Sequence, residues 1–357
     1  MENNIEIYNK IINFYNDPYK NNKKEDNDIS YNKWVKTDKN IKILCSHINI
    51  PNNEEGINKI IQRRDYPCEL KLIKWITEDL EHKKYLIKIP NSQKKLNKYE
   101  DILPYEYNCV FIDENNQNFD NYINASYIDG PFEEDQKLFI ATQDPLKETI
   151  FIFWKMIITY KINLIINFSN TPEIINQIYF PIKKDENLII TNINNENEKI
   201  ILSLKNEEIL IENSLILRII KVNDEIEINQ IQILNWDEHE IPNDEILVKN
   251  IINTLINKIN ENRIKYKNIP ILIHCVGGVG KTGTFISIYQ IIKCLELIKE
   301  IKKDYIINIF NVVRKLREQR YSMVTDISQY KFIYIFCLNW IKENIMKKSI
   351  NENASIN

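Results

Sequence analysis

The chain has 357 residues, 43% of them apolar and 27% charged, and its 47 Lys and Arg against 50 Asp and Glu leave a net charge of −3. That composition allows a full-sized buried core and lacks the basic excess of a nucleic-acid binder. The opening residues, Met1 to Ile7, have neither the basic nor the apolar region of a secretory signal, and no apolar run approaches the roughly 18 residues that a membrane span needs.

The six cysteines (Cys45, Cys68, Cys109, Cys275, Cys294 and Cys337) show no paired spacing and read as reduced thiols of a cytoplasmic protein. The four histidines are scattered and make no zinc-ligand pattern with them, so neither a metal nor a cofactor is expected. Heavy use of Asn, Ile and Lys reads as a compositional bias rather than a functional signal.

Residues 1 to about 58 are rich in Asn, Lys and Asp and read as a partly ordered extension, with a weak helical pattern over 5–15. From 58 to 86, apolar residues recur at helical spacing and predict one or two helices. Residues 102–105 read as a turn, 110–112, 125–128 and 139–142 as strands, and Asp129-Gly130-Pro131 as a turn. A helix opened by Pro145 is predicted over 145–160, followed by a buried strand at 164–168. Four β-like runs come next, at 188–190, 200–202, 215–220 and 225–234. In the last, the apolar residues slip from Ile226 and Ile228 to Ile231 and Ile233, which suggests a bulge. Asp244 reads as the cap of a helix with Leu247, Ile251, Leu255 and Ile259 on one face. After a strand and loop near 271–280, helices are predicted over 281–300, 303–319 and 326–346. The length alone allows two domains, but this order indicates an α/β fold: one large domain with a central twisted mixed β-sheet flanked by helices.

The chain has six glycines, and Gly277, Gly278, Gly280 and Gly283 fall within seven positions. They follow an apolar strand and precede a helix, the arrangement of an anion cradle in which loop N–H groups and the helix dipole meet negative charge. Two phosphate-handling readings compete. Gly280-Lys281-Thr282 is the end of the nucleotide pattern GxxxxGK[ST], but that pattern needs glycine where Cys275 stands. Alternatively, Cys275 at a helix N-terminus is a thiolate nucleophile placed to attack a bound phosphoryl group.

His274 to Gly283 meets the pattern H-C-x-x-G-x-x-[RK]-[ST]-G, which resembles the signature of the protein tyrosine phosphatases. Asn97 to Tyr105 looks like that family's phosphotyrosine-recognition loop. Asn121 to Gly130, Phe139 to Trp154, Trp236 to Pro242 and Arg317 to Tyr334 are similar to further family blocks, in the family's order. The resemblance implies a protein tyrosine phosphatase-like domain over 59–348, with 1–58 as an extension and 349–357 as a tail. It implies phosphotyrosine-containing proteins or peptides as partners and no metal, and leaves the oligomeric state open. Cys275 would attack phosphorus beside His274, the loop amides of Val276, Gly277, Gly278, Val279 and Gly280 would hold phosphoryl oxygens, and Lys281 would supply positive charge. Glu238 on a mobile loop would protonate the leaving phenolate, and Thr282 would hydrogen-bond the sulfur. Tyr99 would stack on the substrate ring, Asp101 would hold the peptide backbone, and Gln329 would position water.

Four departures fall in the chemistry. Lys281 stands where the family has Arg, Glu238 where it has Asp, Asp237 where it has Pro, and Thr325 where it has Gln. Lysine lacks the planar fork that grips two oxygens, and the longer Glu stem shifts its carboxyl by about 1 Å, a misplacement that can cost ~100-fold in rate. Ile175 and Asn176 also replace the Lys-Cys that supports the mobile loop in the family. These changes point to an enzyme of reduced efficiency or to a catalytically inactive phosphotyrosine-binding pseudophosphatase. Cys109, on the recognition side, could pair with Cys275 on oxidation or be an inert thiol.

Overall fold

The structure, a computed structural model, describes residues 3–17, 31–113, 122–169, 178–184, 186–234, 236 and 244–354. The N-terminal segment is built into the fold. Helix α1 (Asn4–Asn16), capped by the Asn3 side chain, buries Ile11 and Tyr15 completely. A helical turn at Tyr31–Val35 leads to α2 (Lys39–Leu44) and β1 (Ile48–Asn49). The helices α3 (Glu54–Arg63) and α4 (Tyr66–Thr77) start on Asn53 and Asp65, whose side chains accept from Gly56 and Cys68 backbone N–H groups. The short α5 (Leu80–Lys83) follows.

The central segment supplies the sheet: β2 (Cys109–Phe111), β3 (Tyr122–Ile128), β4 (Phe139–Gln143), helix α6 (Ile150–Thr159), β5 (Leu164–Asn167), β6 (Asn187–Asn192), β7 (Asn195–Ile211), β8 (Leu215–Val222) and β9 (Ile226–Ile233). Helix α7 (Glu245–Lys265) starts on the Asp244 cap, with Val248, Ile251, Leu255 and Ile259 buried along one face. Strand β10 (Ile271–Cys275), α8 (Gly280–Glu300), β11 (Ile306–Ile307), α9 (Ile309–Arg317) and α10 (Ile327–Ala354) complete the chain. Nine strands form one sheet in the order β2-β3-β4-β10-β5-β9-β8-β7-β6. The inner four, β4, β10, β5 and β9, are parallel, and both flanks are antiparallel. β1 and β11 pair separately, tying the N-terminal segment to the end of α8.

Each face of the sheet carries its own core. Ile271, Ile273 and Ile166 pack on one face with α7 to α10, and Leu272, Ile165 and Ile140 pack on the other with Phe153, Trp154 and Ile157 of α6. β10 is buried at all five residues, as a central parallel strand covered on both faces must be.

Three expectations change. β9 has no bulge: it pairs with β8 in one unbroken register from Ile226↔Val222 to Ile233↔Leu215. The apolar slip arises because Ile228 belongs to the α6-side core and Ile231 and Ile233 to the other. The helix expected from Pro145 begins at Ile150. Residues 145–149 form a turn closed by Thr149, whose Oγ1 accepts from the Leu146 N–H at 2.8 Å. Where a helix was expected from 303, Ile306–Ile307 instead pair with β1, and α9 starts on the Asn308 cap.

Candidate active site

Successive strand residues face opposite sides of a sheet. At the end of β10 this sends the Cys275 side chain to the α8 face and the His274 ring to the α6 face, 5.8 Å from the Phe153 ring centroid. Beyond Cys275 the backbone turns through Gly278 at φ +67. A Cβ there would collide with the Thr142 carbonyl and lie 2.8 Å from the Gln143 nitrogen, so only glycine fits. Helix α8 then begins at Gly280 with no side-chain cap on Val279, an arrangement in which first-turn N–H groups serve an anion. Thr282 Oγ1 lies 3.3 Å from Cys275 Sγ and donates to it.

Both ring nitrogens of His274 are engaged. Nδ1 donates to Asp144 Oδ1 at 2.7 Å, and Nε2 lies 2.9 Å from the Tyr179 hydroxyl. That hydroxyl also accepts from Asn167 Nδ2 at 3.0 Å and Gln230 Nε2 at 3.3 Å, so its own proton goes to His274 Nε2 and the imidazole carries its proton on Nδ1. Burial, with Asp144 nearby, holds the Tyr179 hydroxyl well above the usual tyrosine range. His274 therefore orients the strand end beside the thiol, and Asp144 is fixed in turn by its N–H bond to the Val276 carbonyl at 3.2 Å.

Arg320 holds the loop from below. Its Nε donates to the Gly278 carbonyl at 2.9 Å, and Nη2 donates to the Gly277 carbonyl at 3.1 Å and to Asn124 Oδ1 at 2.8 Å. With two loop carbonyls turned toward the guanidinium, the loop amides are left to face the opposite side. Burial pulls Arg320 down to about 10, opposed by Tyr122, Cys275 and Cys109. Burial also pushes the Cys109 thiol well above the usual range.

The recognition loop is pinned to the same strands. Gln143, the register partner of Cys275, accepts from the Lys98 N–H and donates to the Leu96 carbonyl, both at 2.9 Å. Asn97 Oδ1 accepts from the Tyr122 hydroxyl at 2.6 Å and from Asn124 Nδ2 at 2.8 Å. These bonds set Tyr99 over the loop, where a Cβ on Gly277 would come 3.1 Å from the ring. Asp101 is exposed at the rim.

Lys281 takes a different course from a phosphate ligand. It is buried, and its Nζ donates to the Phe168 carbonyl at 3.0 Å and the Trp236 carbonyl at 2.5 Å. The ammonium thus joins the residue after β5 to Trp236. Asp237 and Glu238, and Ile175 and Asn176, lie outside the described residues. Gln329 Oε1 accepts from the Thr325 N–H at 3.0 Å and lies 3.2 Å from Thr325 Oγ1, beside Gly280. The structure thus brings Cys275, the 276–280 loop, Thr282, Tyr99 and Gln329 together, with His274 and Lys281 engaged by other partners. Asp144, Tyr179 and Arg320 are residues that sequence reasoning missed. Arg320 falls within the Arg317 to Tyr334 block and was findable, whereas Tyr179 carries no local signal.

A protein-tyrosine phosphatase family model matches residues 93–339. The rat tyrosine-protein phosphatase non-receptor type 20 is 29% identical over 263 residues, covering 70% of this chain and 55% of that protein. The human receptor-type tyrosine-protein phosphatase C is 33% identical over 256 residues, covering 69% of this chain and 18% of that protein. The chain thus spans about half, or less, of the length of these relatives. The catalytic domain of human protein tyrosine phosphatase non-receptor type 18 shares the fold, with a TM-score of 0.63 at 21% identity over 80% of this chain and 99% of that one. No helix among the described residues is long and apolar enough to cross a membrane. With the Cys275 loop, its recognition loop and the sheet that joins them, the chain belongs to the protein-tyrosine phosphatase family.

Proposed function

We propose that this protein hydrolyses phosphotyrosine in proteins or peptides through a phosphocysteine on Cys275, with reduced efficiency. The observation that carries the reading is the thiol itself: Cys275 Sγ accepts from Thr282 Oγ1 at 3.3 Å, at the start of a helix without a side-chain cap. A hydroxyl donor and a helix N-terminus thus meet where the sulfur would attack a bound phosphoryl group. One solved relative, non-receptor type 18, is described in complex with HER2 phosphopeptides. That supports a peptide substrate entering beside Tyr99.

In the first step the thiolate attacks phosphorus, the P–O bond to the tyrosine breaks, and the phenolate oxygen takes a proton from a carboxylic acid, for which Glu238 is the candidate. In the second step water attacks phosphorus, the P–S bond breaks, the carboxylate takes the water's proton, and the thiolate returns to the Thr282 hydroxyl. Loop amides hold the phosphoryl oxygens throughout. Lys281, engaged by two carbonyls, holds Trp236 to the end of β5 more than it grips phosphate. The six free cysteines accord with a reducing, cytoplasmic setting.

The test is steady-state hydrolysis of a phosphotyrosine peptide by the wild type and by Cys275→Ser. Wild-type turnover should fall by on the order of 10⁴-fold or more in the variant, as loss of a covalent nucleophile does. Turnover that survives the substitution overturns the reading. Tight, phosphate-dependent peptide binding without turnover by the wild type favours the pseudophosphatase instead, a reading motivated by the engagement of Lys281 away from the loop.

A further inference from the structure

The N-terminal segment precedes the stretch that the family model matches, yet a chain of hydrogen bonds and one longer electrostatic contact binds it to α9 and the residue beyond it. α1 ends against the N-terminus of α9. Asn308 caps α9 through Oδ1, which accepts from the Asn311 N–H at 2.9 Å, while its Nδ2 donates to the Tyr15 carbonyl at 3.2 Å. Asn311 Nδ2 donates to the same carbonyl at 2.6 Å. Lys315 Nζ donates to the Phe14 carbonyl and sits 4.1 Å over the Phe14 ring. The last carbonyls of α1 therefore meet two amides and a cation, the groups that a helix C-terminus favours.

From Asn311 the chain runs along α9. Asn311 Oδ1 accepts from Arg314 Nε at 2.7 Å, and Arg314 Nη1 donates to Glu318 Oε1 at 3.0 Å, both ionic side chains being fully buried. His82 Nε2 lies 3.6 Å from that oxygen, an electrostatic contact rather than a hydrogen bond; His82 Nδ1 lies 2.7 Å from Asp79 Oδ1, and Asp79 Oδ2 meets Lys33 Nζ at 3.0 Å. Both ends of this chain, Tyr15 and Lys33, belong to the N-terminal segment. Such buried ionic chains add little net stability over apolar packing, but they distinguish one arrangement from its neighbours. Immediately past α9, the Glu318 carbonyl accepts from the Tyr107 hydroxyl, the Gln319 carbonyl accepts from Asn108 Nδ2, and Arg320 holds the Gly277 and Gly278 carbonyls.

We infer that the N-terminal segment is a positioning element for the reaction. It clamps α9 at Asn308, Asn311 and Lys315 and approaches Glu318 through His82, so that Arg320 keeps the catalytic loop in the shape that aims its amides at the phosphoryl group. The chemical half of this inference rests on the phosphatase reading above; the structural half, the coupling of the N-terminal segment to the Cys275 loop, does not.

Full-length Asn311→Leu removes the link to Tyr15 and Arg314, and Lys33→Ala opens the far end of the chain at a partly exposed residue. Ile259→Val, in α7, serves as a control that lowers stability away from α9. The readouts are kcat and KM on a phosphotyrosine peptide, and the pH dependence of iodoacetamide alkylation at Cys275, followed by mass spectrometry of the Cys275 peptide. Asn311→Leu should lower kcat about 10-fold at nearly unchanged KM and move the alkylation midpoint to higher pH. Lys33→Ala should move both in the same direction, by about 2-fold in kcat. The control should leave both at wild-type values. Unchanged kcat and an unchanged midpoint in the two variants overturn the inference, and if Asn311→Leu does not fold, Lys33→Ala decides it. A wild type without turnover sinks the phosphatase reading alone, because the alkylation profile still reports on the loop.

Discussion

On the thiol side the sulfur, the His274 ring and the loop carbonyls each have a partner that fits. Thr282 reaches the sulfur, Asp144 and Tyr179 fix both nitrogens of His274, and Arg320 gathers the loop carbonyls. On the side of the Trp236 loop, a lysine ammonium bonds two backbone carbonyls, and a threonine stands beside Gln329 in the water-positioning block. In the proposed reaction the first side forms the nucleophile, and the second supplies the leaving-group acid and the group that positions water. The difference teaches that the two tasks are carried by separate sets of residues and can diverge separately. This chain keeps the groups that surround the sulfur and carries Lys281 and Thr325 on the other side.

The comparison breaks most completely if the thiol side tolerates change. Gly278→Ala forces a Cβ into the Thr142 carbonyl at a positive φ. The left-handed backbone alone costs about 1–2 kcal/mol for a residue with a Cβ, and the collision adds to it. Activity should fall by more than ~100-fold as the loop shifts by about 1 Å, with a lower melting temperature. Wild-type kinetics in this variant would show that the loop is not the site. Tyr179→Phe is a milder cut at the same side. It leaves His274 Nε2 buried without its hydroxyl and frees Asn167 and Gln230 side chains, so unfolding by urea should show a loss of about 1–3 kcal/mol. A stability equal to wild type would mean that the histidine is not held by this network.

Much of this architecture was legible beforehand, and the exceptions have physical causes. β10 and its loop stood out because a buried strand must be apolar throughout and a tight anion loop must be glycine-rich. Thr282, Tyr99 and Gln329 followed from position within recognised blocks. β7 was invisible beyond 200–202: its 17 residues include Glu196, Glu198, Lys199, Glu207 and Glu208, polar because that hairpin meets solvent. Tyr179 and Asp144 reach His274 across 95 and 130 residues of chain, a juxtaposition that only the sheet creates. Lys281 was legible as a departure from arginine, but not as a bridge from Phe168 to Trp236, because both acceptors are backbone carbonyls that any residue could offer.

The side facing Trp236 can be sharpened by restoring what it lacks. Lys281→Arg exchanges a point charge for a planar fork, able to hold a carbonyl with one edge and phosphoryl oxygens with the other. kcat/KM on a phosphotyrosine peptide should rise about 10-fold, equivalent to ~1.4 kcal/mol of transition-state binding. No rise would show that the ammonium already does all that this position offers.

The smallest expected effect tests the water-positioning end. Thr325 Oγ1 donates to Asp326 Oδ2 at 3.0 Å, and Gln329 Oε1 faces the N–H groups of Thr325 and Asp326. With that carbonyl turned to the backbone, the site has one glutamine amide where the family block carries two. Thr325→Gln adds a second carboxamide, able to orient the water that attacks the phosphocysteine. Only the second step should respond, because the nucleophile, the loop amides and the leaving-group acid are untouched. kcat should rise about 2- to 3-fold with the rate of phenol release in a single turnover unchanged, and any burst of phenol before steady state should shrink. A change in the single-turnover rate instead would place Thr325 with the first step, on the thiol side of the comparison.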